Sequence, residues 1–472
     1  MSQISPPDSA AAVSTASRTP PGVLAGPIVP TLMRLALPTV VVLIVQTLVG
    51  VAETYFVGFL GTDALAGTAL VFPVLMLMQM MSNGGIGGGV ASAVARAVGS
   101  GRRSDADALA WHAVVLAGVF GIIFTAAAMA GGSLLYRAMG GTGGALAAAL
   151  TYSNIVFAGS IPLWIVALLS AVLRGAGNVR VPALITLAGA VILIPLSPAL
   201  IFGWGPFPRL GIAGGGAAVV IYYLLAASML IVFMRSGKSA VKLAITPLSR
   251  HLFGDILGVG LLSAIGTVQA NLTVGFITAA VGHFGADAIA GYGIASRLDY
   301  LQIPLLFGLG TGLVTMVGIN VGAGQMARAR RIAWTGAAIA FGMTELIGLS
   351  AALFPHVWLG IFSDAPAVLA PGTLYLHRVA PFYGVVGIGM ALYFASQGAK
   401  RVLTPLLAGT ARLIVAAFIG WLAVDRWGAG LADLFEIVAA SALLFGGIIA
   451  ITMLVGAWGR TPAPLMQPSP AE

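Results

Sequence analysis

The chain has no cysteine and very little charge. Of its 472 residues, 8% are charged and 59% are hydrophobic, and the mean hydropathy is +1.02. Soluble proteins carry about 25% charged residues. The absence of cysteine excludes disulfides, thiolate metal sites and cysteine nucleophiles. The scarcity of charge excludes an ordinary soluble domain and predicts an integral membrane protein.

Familiar catalytic motifs are missing as well. The chain contains neither a His-Glu-x-x-His nor a Gly-x-Ser-x-Gly sequence. Its glycine clusters, at residues 84–89 and 308–312, lack the Gly-Lys-Ser/Thr of a phosphate-binding loop. The glycines of those clusters are expected to serve close helix packing or bending. We therefore expect neither an enzyme nor a cofactor.

Long apolar stretches are abundant, and each is long enough to cross a bilayer as a helix of about 20 residues. Six precede the middle of the chain and six follow it. They lie at residues 31–58, 66–95, 110–133, 149–172, 181–203, 211–234, 254–280, 286–319, 333–353, 373–396, 402–423 and 433–457. The sequence therefore predicts an all-α integral membrane protein with twelve transmembrane helices.

Positive charges alternate along these spans. With the amino terminus in the cytoplasm, 18 of the 23 Lys and Arg residues fall in cytoplasmic segments, Arg174 and Arg412 among them, while Arg297 and Arg378 fall within spans. Cytoplasmic loops of membrane proteins are enriched in Lys and Arg. The bias predicts that both termini are cytoplasmic. The net charge of +9 then reflects topology, and we expect no nucleic-acid partner.

The chain also repeats itself. Residues 57–70 return at 281–294 with seven of fourteen residues identical at a spacing of 224. Later matches, from Val98-Gly99 to Pro182, follow at a spacing of 223, so one insertion separates the halves. Gly84 and Gly88 match Gly308 and Gly312 by sequence. Because each repeat holds six spans, the repeats are parallel, as in many secondary transporters.

The repeat divides the chain into two lobes. We predict a disordered amino-terminal tail at 1–29, a first lobe at 30–235, a basic cytoplasmic linker at 236–252, a second lobe at 253–458 and a carboxyl-terminal tail at 459–472. The linker is the one basic connector long enough to join two six-helix bundles.

Glu53 is the most informative polar residue of the first lobe. Burial disfavours the ionised form of a carboxyl group, so an acid here holds its proton until the site opens to water, as a proton-coupled exchanger requires. Gln46 lies seven residues earlier on about the same helical face and indicates a lined cavity. The alternative is an interfacial acid bonded to a backbone group or a tyrosine. The repeat places Ile277 at the position of Glu53, so the lobes are chemically unequal.

Other polar residues of the spans are expected to line a central cavity. With Gln46 they are Asn83, Tyr152, Asn154, Gln269, Asn271 and Asp299. Asp299 either faces that cavity or bridges to another helix. Arg297 is two residues away, or about 200° around a helix, so we expect the two not to pair.

Three more ionisable residues lie in the spans of the second lobe. Glu345 is expected to bond to a neighbouring helix. Arg378 either reaches the membrane interface or forms an ion pair between the lobes. His377 has no metal-ligand companion at helical spacing, so we expect a structural role.

Several motifs, in order, resemble one family. They are Leu37-Pro38, the segment from Phe56 to Gly67, Val98-Gly99, the sequence Leu173-Arg174-Gly175-Ala176-Gly177-Asn178, and the segment from Ile201 to Gly214. Over about residues 30–458 the chain resembles the MATE (multidrug and toxic compound extrusion) family. The resemblance implies two six-helix lobes arranged as a V around a central cavity. It also implies export of organic, often cationic, compounds against an inward proton or sodium gradient, with the first-span acid, here Glu53, as the coupling residue.

The chain departs from the family pattern in ways that bear on the coupling ion. Leu193 and Ser197 stand where many members have Asn and Asp, Gln269 lies where sodium-coupled members have a Glu, and the tenth-span acid is absent near His377. Sodium prefers several oxygen ligands that include a carboxylate. The resemblance and these departures therefore favour proton coupling without a metal.

Together these features predict an antiporter that exports small-molecule drugs or metabolites in exchange for protons by a rocking, alternating-access motion. It is expected to be a monomer in the lipid bilayer of a bacterial inner membrane. One alternative is sodium-coupled export. Another is a lipid-linked precursor flippase, which needs several cations to hold a pyrophosphate, whereas Arg297 and Arg378 are the cations assigned to spans.

Overall fold

The computed structural model describes residues 22–456 and 458, and every regular element in that part of the chain is a helix. Eleven helices are long and apolar enough to cross a membrane, and a bent pair makes a twelfth. In chain order they are α1 Ile28–Gly58, α2 Thr62–Gly99, α3 Arg103–Ala138, α4 Gly143–Ala158 with Ser160–Gly175, α5 Arg180–Phe202, α6 Ile212–Arg235, α7 Arg250–Gly282, α8 Ala286–Gly322, α9 Met326–Leu353, α10 Pro366–Gly398, α11 Leu403–Trp427 and α12 Leu431–Leu454.

All twelve predicted spans are confirmed, although several helices extend beyond the apolar stretch that predicted them. Helix α3 begins at Arg103 and α9 at Met326, where hydropathy alone predicted 110 and 333. Both first turns are polar, with Arg103-Ser-Asp in α3 and several arginines in α9. A hydropathy window finds the apolar core of a helix and misses turns that continue beyond it.

The helices form two halves, α1–α6 and α7–α12, which meet at one end only. This end holds Arg96, Arg174 and Arg328 and is called the basic end; the other is called the far end. One buried apolar cluster contains residues of both halves. The clusters around Ile277 in the second half and around Val57 in the first are separate. The halves therefore form a V whose cleft opens at the far end.

A π-helical turn explains the change of repeat spacing. Helix α2 has 38 residues and contains a π turn at Met81–Ile86, whereas its repeat counterpart α8 has 37 and is α-helical throughout. A π turn accommodates an extra residue within a helix. Beyond it the spacing is 223, so the structural counterpart of Gly308 is Gly85. The pairing with Gly84 expected from the sequence is wrong by one residue.

Glycines on both sides of the V allow the backbones to approach at the basic end. A Cβ on Gly99 of α2 would lie 2.0 Å from the carbonyl oxygen of Ile319 in α8. A Cβ on Gly322, the counterpart of Gly99, would lie 2.2 Å from the carbonyl oxygen of Arg96, the counterpart of Ile319. The contact is therefore repeated by the twofold relation of the halves.

Two hydroxyl groups cross between the halves in the same symmetric way. Ser92 of α2 donates a hydrogen bond to the carbonyl oxygen of Gln397 in α10. Its counterpart Thr315 of α8 donates to the carbonyl oxygen of Arg174 in α4 at 2.9 Å. Because Arg174 is the counterpart of Gln397, each half makes the same bond to the other.

The described part of the predicted amino-terminal tail, residues 22–29, belongs to this fold. Residues 1–21 are not among those described. In the remainder, Val23 is buried, and its carbonyl oxygen accepts a hydrogen bond from Asn320 of α8 at 3.2 Å. Helix α1 then begins at Ile28. The prediction of disorder up to residue 29 is therefore wrong for residues 22–29. The predicted carboxyl-terminal tail lies outside the described residues.

The basic linker between the halves lies along α3. Its backbone donates from Lys242 to Asp107 at 2.7 Å and from Ser249 to the Nε2 atom of His112 at 2.8 Å. Helix α7 then begins at Arg250, inside the predicted linker.

Candidate functional site

Glu53 lies near the far end of the first half, between α1, α5 and α6. The hydroxyl of Ser197 in α5 donates to its Oε2 atom at 2.9 Å, and Ser197 itself is fully buried. A Cβ on Gly215 of α6 would lie 3.8 Å from the same oxygen. Tyr152 of α4 is close enough to interact with the carboxylate electrostatically. Within the described chain no basic side chain forms an ion pair with Glu53.

Two prolines flank the serine that contacts Glu53. Pro195 and Pro198 both lie inside α5. A proline in a helix removes a backbone hydrogen bond and bends the chain. The bond between Ser197 and Glu53 therefore forms in a stretch of α5 that lacks the backbone N–H donors of two residues. Ser197 occupies a position where the family resemblance expected an acid, and it leaves Glu53 as a single carboxylate.

The polar residues predicted to line the cavity lie on several helices. Gln46 is exposed on α1 and lies beside Tyr222 of α6. Asn83, in the π turn of α2, donates to the carbonyl oxygen of Gln79 at 3.1 Å. Asn154 is exposed on α4. The part that each plays in binding a substrate stays a prediction.

Two of the predicted residues come from α7. Asn271 is exposed, and its Nδ2 atom lies 3.7 Å from the sulfur of Met80 in α2, across the cleft. Gln269 donates to Thr410 of α11 at 2.7 Å, while its Oε1 atom is buried without a partner. Asn271 therefore lies where the halves face one another, and Gln269 points into the second half.

Asp299 belongs to a buried cluster within the second half. Tyr375 of α10 donates to its Oδ2 atom at 2.8 Å, and Tyr383 and Arg412 lie close by. The ring of Tyr375 packs edge-on against that of Tyr292, with centroids 5.2 Å apart. The Oδ1 atom of Asp299 has no hydrogen-bond partner. The carboxylate joins α8 to α10, as in the bridging alternative for this residue.

Arg412 is the cation that sequence reasoning misplaced. It was expected in a cytoplasmic segment, yet it lies inside α11, with its guanidinium 5.7 Å from the ring centroid of Phe445 and close to Asp299. The signal was present, because residue 412 falls within the predicted span 402–423. Because the charge-bias argument assigned Arg412 to a cytoplasmic segment, it missed a buried arginine in the second half.

The other intramembrane ions have separate partners. Arg297 lies 5.5 Å from the ring centroid of Phe362 and does not pair with Asp299, as its helical spacing predicted. Arg378 pairs with Glu436 of α12 in the same half, so it does not bridge the halves.

Glu345 and His377 complete the predicted set. The carboxylate of Glu345 accepts from the backbone N–H of Gly384 in α10 at 2.7 Å, which confirms its predicted bond to a neighbouring helix. His377 is exposed on α10.

A small cavity lies where the halves meet at the base of the cleft. Its walls pair residues related by the repeat, namely Gly84 with Phe307, Gly88 with Thr311, Ala91 with Val314 and Arg174 with Gln397. The cavity therefore lies on the twofold axis. Its two ends differ in chemistry, because the first half contributes a guanidinium and the second an amide whose Oε1 atom has no partner.

Among the described residues, no three His, Asp or Glu side chains come together as metal ligands. Glu53 offers one carboxylate and one hydroxyl neighbour. A carboxylate of this kind can take up or release one proton.

Known proteins resemble this chain over most of its length. The family model described as MatE matches residues 38–199 and 270–422, more than half of the chain. The probable multidrug resistance protein NorM of Thermotoga maritima is 27% identical over 420 residues, covering 87% of this chain and 90% of that protein. The FAD transporter of Shewanella oneidensis is 27% identical over 407 residues, covering 84% and 87%. A crystal structure of MATE in the bent conformation matches with a TM-score of 0.85 at 22% identity, covering 92% of this chain and 97% of that one.

Proposed function

Because the chain belongs to the MatE family, we propose that it is a secondary active antiporter that exports amphipathic organic compounds in exchange for protons. Members of this family are transporters rather than enzymes. The observation that carries the proposal is Glu53, a carboxyl group in a membrane helix with a hydroxyl neighbour and no cationic partner in the described chain. Ionisable residues inside membranes are costly and commonly mark ion pathways.

The proposed cycle alternates between two arrangements of the halves. In the arrangement described here the cleft opens at the far end, on the same side as Glu53. We place the far end outside the cell, following the bias of positive charge toward the basic end. A proton that binds Glu53 from outside neutralises it, so the first half repacks and releases substrate outward. Closure at the far end and opening at the basic end then let the proton leave toward the cytoplasm.

The test replaces one carboxyl group and varies the driving ion. Purified protein is reconstituted into liposomes that contain ethidium, and ethidium transport is driven by a pH gradient or by a sodium gradient. We expect Glu53→Gln to lower proton-driven transport at least tenfold. Glu436→Gln removes a carboxylate that is 54% exposed and pairs with Arg378, so it serves as the matched control.

Three results would contradict the proposal. Proton-driven transport by Glu53→Gln at the parent rate would remove Glu53 from the coupling step. Transport driven by sodium at constant pH would replace the proton as coupling ion. An equal loss in Glu436→Gln would show that any missing carboxylate impairs the protein.

A second candidate substrate class is an anionic, phosphate-bearing metabolite such as FAD. The identity to the FAD transporter equals that to the multidrug resistance protein. The specific observation is Arg174, whose side chain lines the cavity at the base of the cleft without a carboxylate in its walls. FAD and ethidium are therefore compared in the same liposomes, with Arg174→Gln as the variant. A loss confined to FAD would favour the anionic class.

The lipid-linked precursor flippase is less well supported. It requires several cations that face the cleft and hold a pyrophosphate. Arg378 is paired with Glu436, and Arg297 lies over the ring of Phe362. The two cations that the sequence offered for such a site are therefore engaged elsewhere.

A further inference from the structure

One ionic cluster joins the two halves at the basic end. Arg96 of α2 contacts Asp255 of α7 through Nη2 and Oδ2 at 3.1 Å, and Lys400, after α10, pairs with the other oxygen of Asp255. Arg96 also donates to Ser92, whose hydroxyl donates to the carbonyl oxygen of Gln397. Arg96, Asp255 and Lys400 are called the inter-half triad. Every other ion pair of the described residues joins groups of the same half.

The repeat shows that the triad breaks the symmetry of its surroundings. The glycine contacts and the hydroxyl bonds between the halves occur twice, once on each side of the axis. The triad occurs once. Its counterparts are Ile319 for Arg96, Thr31 for Asp255 and Gly177 for Lys400, none of which carries a charge. One side of the basic end is therefore closed by packing and by hydrogen bonds such as that from Asn320 to Val23, and the other by packing with an ion pair.

The backbone of Lys400 supports a specific role for its charge. Its φ is +58°, which makes it the one non-glycine residue of the described chain with positive φ. Its counterpart Gly177 has a φ of +83°. Left-handed backbone is unfavourable for a residue with a Cβ and costs a glycine little. Strained positions of this kind often belong to functional sites. At this position the lysine supplies a cation for Asp255.

We propose that the inter-half triad is the gate of the transport path at the basic end. Asp255, held by Lys400 of its own half, binds Arg96 of the other half and keeps this end closed while the far end is open. The proposal rests on the antiport function, because alternating access requires the basic end to open in each cycle. Opening then requires the bond between Arg96 and Asp255 to break.

The burial of the triad suits a bond that forms and breaks. The side chains of Arg96 and Asp255 are 11% and 16% exposed, and that of Lys400 is 46% exposed. A partly buried ion pair is strong enough to favour the closed arrangement. Because water enters as the halves separate, both charges become hydrated and neither remains buried without a partner. Among the described residues, the counterpart side has no ion pair of this kind.

The test measures how often the basic end opens. The natural chain has no cysteine, so one introduced cysteine is a clean reporter. Thr315→Cys places it at a fully buried position between the halves, and the parent and every variant carry it, so loss of the Thr315 hydroxyl is common to all of them. In purified protein we measure its rate of reaction with a maleimide. We expect Asp255→Asn to raise this rate at least fivefold, since it also leaves Arg96 and Lys400 to repel each other.

Three further variants and a control keep the result interpretable. Arg96→Gln breaks the same bond from the other half and is expected to raise the labelling rate about as much. Lys400→Gly keeps the left-handed turn and removes one cation, so a smaller rise is expected. Asp255→Glu retains the charge and is expected to label within twofold of the parent. The matched control is Arg102→Gln, which breaks an exposed pair with Asp105 inside the first half.

If the cysteine in Asp255→Asn and Arg96→Gln reacted with the maleimide at the parent rate, the proposal of a gate would be overturned. An equal rise in Arg102→Gln would overturn it as well, since loss of any surface pair would then loosen the protein. If Asp255→Asn or Arg96→Gln fails to fold, the other variant is used, because each removes the bond between Arg96 and Asp255. The labelling rate does not depend on coupling or substrate, so failure of the gate is distinguishable from failure of the proposed antiport.

Discussion

The position of Glu53 in the first half and that of Ile277 in the second differ in chemistry although the repeat makes them equivalent. Glu53 contacts a serine and lies beside the cleft. Ile277 is 4% exposed and packs in the apolar core of the second half. The helices around them follow the same order. The two halves therefore share the order of their helices, while only the first carries an ionisable residue at this position.

The second half has an acid of its own in a different place. Asp299 lies on α8 and bonds to Tyr375, with Arg412 nearby. Its counterpart in α2, before the π turn, is Leu75. At the basic end, by contrast, backbone contacts are repeated almost atom for atom. The halves are alike where they pack at the basic end, and they differ at the positions of Glu53 and Asp299.

The largest effect is expected when a carboxyl group is placed at the second-half counterpart of Glu53. Ile277→Glu buries a carboxyl group in an apolar core, at a cost of about 3 kcal/mol. We expect a large loss of folded protein, measured as the yield of monodisperse protein and its thermal stability in detergent. Ile277→Val is the control, with a cost of about 1 kcal/mol.

A contrary outcome would be informative. If Ile277→Glu folded normally and restored proton-driven transport to Glu53→Gln, the two positions would be chemically interchangeable. The difference between the halves would then have no consequence for coupling.

The symmetric contacts predict equal effects in both halves. Gly99→Ala and Gly322→Ala each place a Cβ within about 2 Å of a carbonyl oxygen of the other half. Overpacking of this kind costs about 1–3 kcal/mol. We expect similar falls in thermal stability for the two variants. Gly118→Ala, with nothing within 4 Å of the new Cβ, is the control and is expected to be neutral or stabilising. Clearly unequal falls for the two variants would contradict a symmetric interface.

A smaller effect is expected at the neighbour of Glu53. Ser197 donates to the carboxylate and so stabilises its ionised form. Without this donor the carboxyl group holds its proton to higher pH. Ser197→Ala should therefore shift the pH of half-maximal transport upward by about 0.7 unit, for a hydrogen bond worth about 1 kcal/mol. Transport is measured in liposomes at a series of internal and external pH values. A shift downward, or none, would exclude this bond as a determinant of coupling.

Local features of the sequence predicted the helices well, whereas features that depend on register or long-range contact were less certain. Each span is a continuous apolar run, so its existence needed no knowledge of its neighbours. The pairing of Gly84 with Gly308 failed because a π turn shifts the register by one residue. Arg412 was misplaced because charge bias by loop takes no account of a cation buried against Phe445.

Twelve membrane crossings in two related halves follow from the amino-acid sequence, because length, hydropathy and internal identity are properties of the chain alone. Which polar groups meet depends on how the helices pack. Glu53 and Ser197 are 144 residues apart, and Asp299 and Tyr375 are 76 apart. The same holds for Arg96 and Asp255, on helices of different halves. Such partners are brought together by helix packing, and no local pattern specifies them.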